Sequence, residues 1–131
     1  MQRYMLDTNM CIYLMKNQPE QVAQRLSACL VGDVIMSSIT FAELEFGIMV
    51  STNRTRDRRN LNALVEDIPV VAFDGFAARE YGLIRFASRE KKKDSLDKLI
   101  AAHAISLDAV LVTNNERDFN YRGLNTENWT K

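Results

Sequence analysis

The chain reads as a single α/β domain, residues 1–131, with a central, mostly parallel sheet of four to five strands and helices on both faces. Three observations predict this three-layer α/β/α architecture. Short aliphatic runs bounded by turn residues alternate with longer stretches of helical periodicity, which implies right-handed crossovers between parallel strands. One run, Ala109-Val110-Leu111-Val112, is as purely aliphatic as a strand buried on both faces requires. No repeat, low-complexity tract or linker divides the chain, and its length suffices for one core.

The first strand is Tyr4-Met5-Leu6, ending at Asp7. Thr8 or Asn9 then caps a helix through Met10–Met15, which Asn17-Gln18-Pro19 terminates. Pro19 suits the first turn of a second helix over Glu20–Leu30, and Gly32-Asp33 is a turn signal. Val34–Ser38 is a second buried strand. Thr40-x-x-Glu43 has the spacing of a capping box and opens a helix over Phe41–Val50. After Ser51-Thr52-Asn53, an arginine-rich helix runs to about Glu66. Ile68–Phe73 is a third strand, its Pro69 near the start where a missing donor is tolerated. Asp74 caps a helix from Gly75 to about Arg89, Lys91-Lys92-Lys93 marks a loop, and Asp94 or Ser95 begins a helix through Ser106. Ala109–Val112 is the fourth strand, and the tail beyond Asn120 is expected to add a short final strand or edge.

Composition is that of an ordinary globular protein, 47% hydrophobic and 26% charged. No apolar run approaches the ~20 residues that span a bilayer. The N-terminus leads directly into a strand with no leader-like segment, so no membrane association and a cytoplasmic location are expected. Cys11 and Cys29 sit in helical patterns without Cys-x-x-Cys spacing and are expected to be reduced thiols. His103 is the only histidine, which excludes chemistry built on a histidine pair; among Leu99–Ala104 a packed or backbone-bonded ring is expected.

The 17 basic and 17 acidic residues balance. Arg54, Arg56, Arg58 and Arg59 nonetheless crowd one segment, and Arg85, Arg89, Lys91, Lys92 and Lys93 another. Each cluster reads as a solvated helix face or as a rim for a polyanion, whose phosphate contacts are local and indifferent to net charge.

Acidic residues recur where strands end or helices begin: Asp7, Glu43, Asp97 and the Asn115-Glu116-Arg117-Asp118 stretch. Each has an ordinary explanation alone. Glu43 completes a capping box, Asp94 and Asp97 favour a helix first turn, and Asp118 sits in a turn. Asp7 is the hardest to account for, because a carboxylate at a buried strand end is costly without a cation, a cap or a hydrogen-bonded partner. In parallel sheets the ligand crevice lies outside the carboxyl ends of the strands, where Asp7 and the Asn115 segment fall. Glu43 and Asp97, in first helical turns, are expected to open on the same side. Several carboxylates in one crevice repel unless a cation compensates. Oxygen-only donors suit Mg²⁺ or Mn²⁺, whereas zinc lacks a Cys/His cluster. Thr8, Asn9, Thr113, Asn114 and Ser38 would orient the site rather than ligate.

Together these motifs resemble a known family. Leu6-Asp7-Thr8-Asn9, Ser38-x-Thr40-x-Ala42-Glu43-Leu44-x-x-Gly47, Asp97-x-x-Ile100-Ala101-Ala102-His103-Ala104, Leu111-Val112-Thr113-Asn114-Asn115, Phe119 and Trp129 look like a PIN-domain ribonuclease. They look most like the VapC toxins of VapBC toxin–antitoxin modules. The ordered set is far more specific than any one motif.

The resemblance implies Mg²⁺- or Mn²⁺-dependent hydrolysis of structured RNA, with tRNA favoured. It also implies a homodimer and inhibition by a VapB-like antitoxin that inserts a segment into the active-site groove. It assigns catalytic roles to Asp7, Glu43 and Asp97, with Asp7 and Asp97 as metal ligands. The fourth position falls to Asp118 acting through water, with Asn115 lining the site and Glu116 as a substitute. Thr8, Asn9 and Thr113 support the site, and Arg85, Arg89 and Lys91–Lys93 are candidate RNA contacts.

The alternative is a PIN-fold RNA- or protein-binding module without cleavage. A nucleophilic-aspartate phosphotransfer fold is disfavoured, because Asn9 stands where that chemistry needs a second acid. Phe41, Phe46, Ile48 and Met49 form a stripe read as core packing or as a partner surface.

Overall fold

A computed structural model describes residues 2–90 and 95–131. Five parallel strands form one sheet in the order β3-β2-β1-β4-β5: β1 Tyr4–Leu6, β2 Val34–Ser37, β3 Val70–Val71, β4 Val110–Val112 and β5 Thr126–Glu127. Six α-helices accompany them among the described residues: α1 Thr8–Lys16, α2 Glu20–Ser27, α3 Ser38–Met49, α4 Arg54–Asp67, α5 Gly75–Ala87 and α6 Ser95–Ser106. A 3₁₀ turn spans Glu116–Phe119. Asp94 and Lys91–Lys93 lie outside the described residues, and with them the expected lysine loop.

The strand period of two sends alternate side chains to opposite faces. Leu6, Val34, Met36 and Val112 join Met10, Leu44, Leu61, Ile68 and Trp129 in one core, under α1 to α4. Met5, Ile35 and Leu111 join Ile84, Ile100, Ala101, Ala104 and Phe119 in the other, under α5 and α6. Strands only two to four residues long still form a sheet because both faces are sealed. The register is tight at the centre, with Met5 opposite both Ile35 and Leu111.

Several boundaries differ from the sequence reading. The third strand shrinks from Ile68–Phe73 to Val70–Val71, because Ile68 is already buried at the end of α4 and Phe73 N–H donates to Ser38 Oγ at 3.0 Å instead of to a strand. The second helix stops at Ser27 rather than Leu30, and the fifth at Ala87 rather than Arg89. Asp74 caps α5 as its position suggested, accepting from Ala77 N–H at 3.0 Å. Asn17 ends α1 in the left-handed region (φ 60°), which an Asn tolerates. Gly32, at φ 93°, turns the chain into β2, where a Cβ would be strained.

The stripe on α3 divides. Ile48 is in the core and Phe41 packs against it, whereas Phe46 and Met49 are 68% and 56% exposed, so core packing accounts for only half of it. Cys11 and Cys29 are both free thiols, and Cys11 is fully buried. Among the described residues no helix is long and apolar enough to cross a membrane.

Candidate active site

The order of strands decides where the site lies. From β1 the chain proceeds to β2 on one side and later returns to β4 on the other, so β1 and β4 flank the switch point where open α/β sheets bind ligands. Asp7 leaves β1 at this point, its N–H donating to Val112 O at 3.0 Å. Its side chain turns to cap α1, Oδ1 accepting from Met10 N–H at 2.9 Å. The cap of the first helix is therefore Asp7 itself, not Thr8 or Asn9, because the strand ends one residue before the helix begins. Burial pushes the Asp7 pKa above the usual carboxylate range. Hydrogen bonds from Thr113 and from the Met10 and Asn9 backbone oppose this, and the charge of Glu43 adds to it.

Glu43 is not part of a capping box. Ser37 caps α3, its Oγ accepting from Ile39 N–H at 3.1 Å, so α3 begins at Ser38 and Glu43 lies in its second turn rather than its first. Thr40 is buried inside the helix. The Glu43 carboxylate faces α1, where Thr8 Oγ1 donates to Oε1 at 2.7 Å. Asp97 stands in the first turn of α6 and is half-buried.

A small groove of about 160 Å³ is lined by the carboxylate residues Asp7, Glu43 and Asp97, with Thr8, Asn9 and Asn115 beside them and Ile100 and Phe119 as apolar wall. Four segments remote in sequence thus meet at one sheet edge. Asp118 is not among the groove-lining residues; its Oδ2 accepts from Asn115 Nδ2, one hydrogen bond behind the wall. Glu116 points elsewhere, its Oε2 accepting from Thr126 Oγ1 at 2.7 Å. Thr113 is fully buried, holds Asp7, and its Oγ1 also accepts from Asn115 N–H at 3.0 Å. Asn114 turns away to Tyr13 Oη at 2.8 Å.

His103 is buried as a packed ring, but its partner is a side chain rather than backbone alone: Nδ1 lies 2.7 Å from Ser37 Oγ. Lys98, next to Asp97, had no assigned role in sequence. It is 5% exposed, and its Nζ donates to Ser88 O at 3.1 Å, joining α6 to the end of α5. The only sequence signal for it was a lysine inside an otherwise apolar helix stripe.

The basic clusters separate as well. Arg58 is spent on Glu45, with two hydrogen bonds of 2.7 Å each, while Arg54, Arg56 and Arg59 remain exposed. Arg85 and Arg89 lie over Tyr81 and Phe86, at 5.9 and 4.4 Å from the ring centroids. Beyond Glu43, a larger groove of about 680 Å³ runs between α1, α3 and α4, with Ile12, Met15, Leu44, Ile48 and Val50 among its lining.

The donor set tests whether a divalent cation fits. The groove offers carboxylate, hydroxyl and amide oxygens and, among the described residues, no Cys or His. Among those residues no three acidic, histidine or cysteine side chains are close enough to complete a protein ligand shell. A hydrated hard cation such as Mg²⁺ needs only one or two carboxylates and is compatible with such a groove. Burial, with the Glu43 charge adding to it, raises the Asp7 pKa, and a cation in the groove would favour the charged carboxylate.

Residues 4–123 match the family model described as PIN domain. Over 134 aligned residues the chain is 40% identical to "Ribonuclease VapC1" of Haemophilus influenzae (strain R2866), with 98% of each chain covered. It is 37% identical to the "tRNA(fMet)-specific endonuclease VapC" of Shigella flexneri, covering 99% of this chain and 100% of that one. Its fold superposes on the DNA-bound VapBC structure from Salmonella typhimurium with a TM-score of 0.89 at 35% identity, over 98% and 99% of the two chains. With the family match spanning nearly the whole chain and the acidic groove at the switch point, the chain belongs to the PIN-domain family, among its VapC ribonucleases.

Proposed function

We propose that this chain is the toxin of a VapBC-type module, a Mg²⁺- or Mn²⁺-dependent endoribonuclease that cleaves structured RNA by water attack on a phosphodiester. The observation that carries the reading is the convergence of Asp7, Glu43 and Asp97 on one groove at the sheet's switch point. Asp7 and Asp97 would hold the cation, with Glu43 held by Thr8 on the groove wall. When bound, such an ion neutralises charge developing on the phosphodiester and makes water a better nucleophile near neutral pH.

The chain's own residues supply the rest. Thr113 and the α1 backbone fix the Asp7 carboxylate, so it does not reorganise when substrate arrives. Thr8 holds Glu43 through Oε1, and the other carboxylate oxygen would accept a proton or orient water. Asn115, steadied by Asp118, offers an amide to a phosphate oxygen or water. Exposed Arg85, on the helix packed beside the one that carries Asp97, and exposed Arg89, just past that helix's end, are candidates for the RNA backbone. The products are 5′-phosphate and 3′-hydroxyl ends.

The tRNA preference rests on relatives named as tRNA(fMet)-specific endonucleases. A VapB-like antitoxin is the inhibitory partner. The apolar groove that shares Glu43 with the acidic site suits an inserted segment that reaches the carboxylates. The homodimer and the cytoplasmic location are part of the same reading.

The test is cleavage of total cellular RNA by purified, antitoxin-free protein, with the cut ends mapped. Wild type should cut in Mg²⁺ and stop in EDTA, and Asp7→Asn should lose at least about a hundredfold in rate, the scale of one lost electrostatic group in a site. An Asp7→Asn protein that cuts at the wild-type rate would sink the metal mechanism. Tight RNA binding without cleavage by the wild type would instead support the binding-module alternative.

A further inference from the structure

Below the acidic groove lies a buried polar contact that the proposed chemistry does not use. His103 is 1% exposed, and its Nδ1 is 2.7 Å from the hydroxyl of Ser37, itself fully buried. The two are 66 positions apart, on α6 and at the end of β2. A buried polar pair of this kind is costly unless each member is satisfied, and it ties down whatever carries it.

What it ties down is informative. Ser37 is the N-cap of α3, the helix that carries Glu43. His103 lies on α6, which carries Asp97 in its first turn. The strand–helix junction next to it is held too: Phe73 N–H donates to Ser38 Oγ at 3.0 Å, and the Phe73 ring meets His103 edge-on at 5.4 Å. The Ser37 hydroxyl therefore joins the two helices that bring carboxylates to the groove from opposite faces of the sheet. Leu44 and Ile48 pack α3 into one core and Ile100 and Ala104 pack α6 into the other; Ile39, at the start of α3, also touches the α6 core, and the Ser37–His103 bond adds a directional tie at that same end of the helix.

The geometry points to His103 and Ser37 as positioning residues whose hydrogen bond sets the placement of Glu43 relative to Asp97, and through it the affinity of the groove for a divalent cation. This rests on the metal-site reading above. His103 touches neither substrate nor metal in this role; it acts through the two helices. Groups that orient metal ligands from behind commonly change metal affinity by about ten- to a hundredfold when removed.

The test is Mn²⁺ binding to the purified protein, followed by the electron paramagnetic resonance signal of free Mn²⁺, with urea unfolding alongside to establish that each variant is folded. His103→Leu fills the space without the nitrogen, Ser37→Ala breaks the same bond from the other end, and His103→Asn returns a polar group near the Nδ1 position. Weakening of about tenfold or more in both Leu and Ala variants, recovery of most of it in the Asn variant, and a double variant no weaker than the worse single one would support the role. A folded His103→Leu or Ser37→Ala protein that binds Mn²⁺ as wild type does would overturn it, as would an Asn variant no better than Leu. Should His103→Leu fail to fold, Ser37→Ala decides alone. If wild type itself binds no Mn²⁺ and Asp7→Asn is indistinguishable from it, the metal-site reading falls first and takes this inference with it.

Discussion

Thr8 Oγ1 donates to Glu43 Oε1 at 2.7 Å, joining the first turn of α1 to the second turn of α3 across 35 positions of sequence. The bond sits on the groove wall, and Asp7, one residue before Thr8, contributes its carboxylate to the same groove. One strand-to-helix junction thus supplies a carboxylate and also orients a second one.

Thr8→Val keeps the shape of the side chain and removes the hydroxyl. A hydrogen bond to a charged group is worth ~1.5–3 kcal/mol, so kcat/KM for RNA cleavage should fall at least about tenfold, the equivalent of ~1.4 kcal/mol. Thr8→Ser should retain most activity. Urea unfolding should move little in either variant, and a large stability loss in Thr8→Val with unchanged kcat/KM would show that the bond serves the fold alone.

The relation of Asn115 to Asp118 makes a different forecast. Asn115 lines the groove and Asp118, which accepts its hydrogen bond, does not, so Asn115→Ala should cost more activity than Asp118→Ala. The double variant should cut RNA no more slowly than Asn115→Ala, because side chains in one hydrogen-bonded pair are not additive. Single-turnover cleavage rates decide it. A double variant slowed by the product of the two single effects would give Asp118 an independent role.

His103 is the chain's only histidine, so its titration is separable by NMR from every other side chain. Burial lowers its pKa; the charge of Asp74 and the backbone of Ala72 pull the other way, and Arg3 adds to the lowering. A folded-state pKa below the unfolded value near 6.5 means the unfolded chain binds the proton more readily. The neutral ring's contribution to stability is therefore complete above pH ~6.5 and is lost as pH falls through that value, by at most about 1.4 kcal/mol per pH unit. Urea midpoints from pH 7.5 down to about 5 should slope for wild type and flatten in His103→Asn in this window. Equal slopes would exclude His103 as the titrating group.

Trp129 tests the role of the tail. It is fully buried, its ring lies 5.5 Å from that of Tyr4 and beneath Arg25 at 5.4 Å, and its Nε1–H donates to Glu127 Oε1 at 3.1 Å. Trp129→Ala should cost ~3–5 kcal/mol, a large part of the ~5–15 kcal/mol typical of a domain. Trp129→Phe should cost less, and a urea midpoint unchanged in the Ala variant would place the tail outside the cooperative fold.

Much of the architecture could be read before any coordinates. The positions of β1, β2 and β4 followed from aliphatic runs, and Asp74 was recognisable as a cap from its place before Gly75. Helix starts were harder where several capping residues stand in a row. In Asp7-Thr8-Asn9 and in Ser37-Ser38-Ile39-Thr40 each candidate has the right chemistry, and the one that caps is whichever falls where the strand ends. That choice depends on pairing with β4 and β3, which local pattern does not encode. Misplacing the start of α3 also gave Glu43 a capping role it does not have.

By itself the sequence determined the alternation of strand and helix, the apolar faces that seal the sheet, and the identity of Asp7, Glu43 and Asp97 as carboxylates in need of an explanation. These are local properties, set by side-chain chemistry and periodicity along the chain. Only the tertiary structure decided that the three share one groove, that Thr8 holds Glu43 while Asp118 stands behind Asn115, and that His103 reaches Ser37. Those relationships depend on strand order and on the exit of β1 beside β4, contacts between residues far apart in the chain. Periodicity carries no information about such pairings, since the same pattern of strands and helices is compatible with several strand orders.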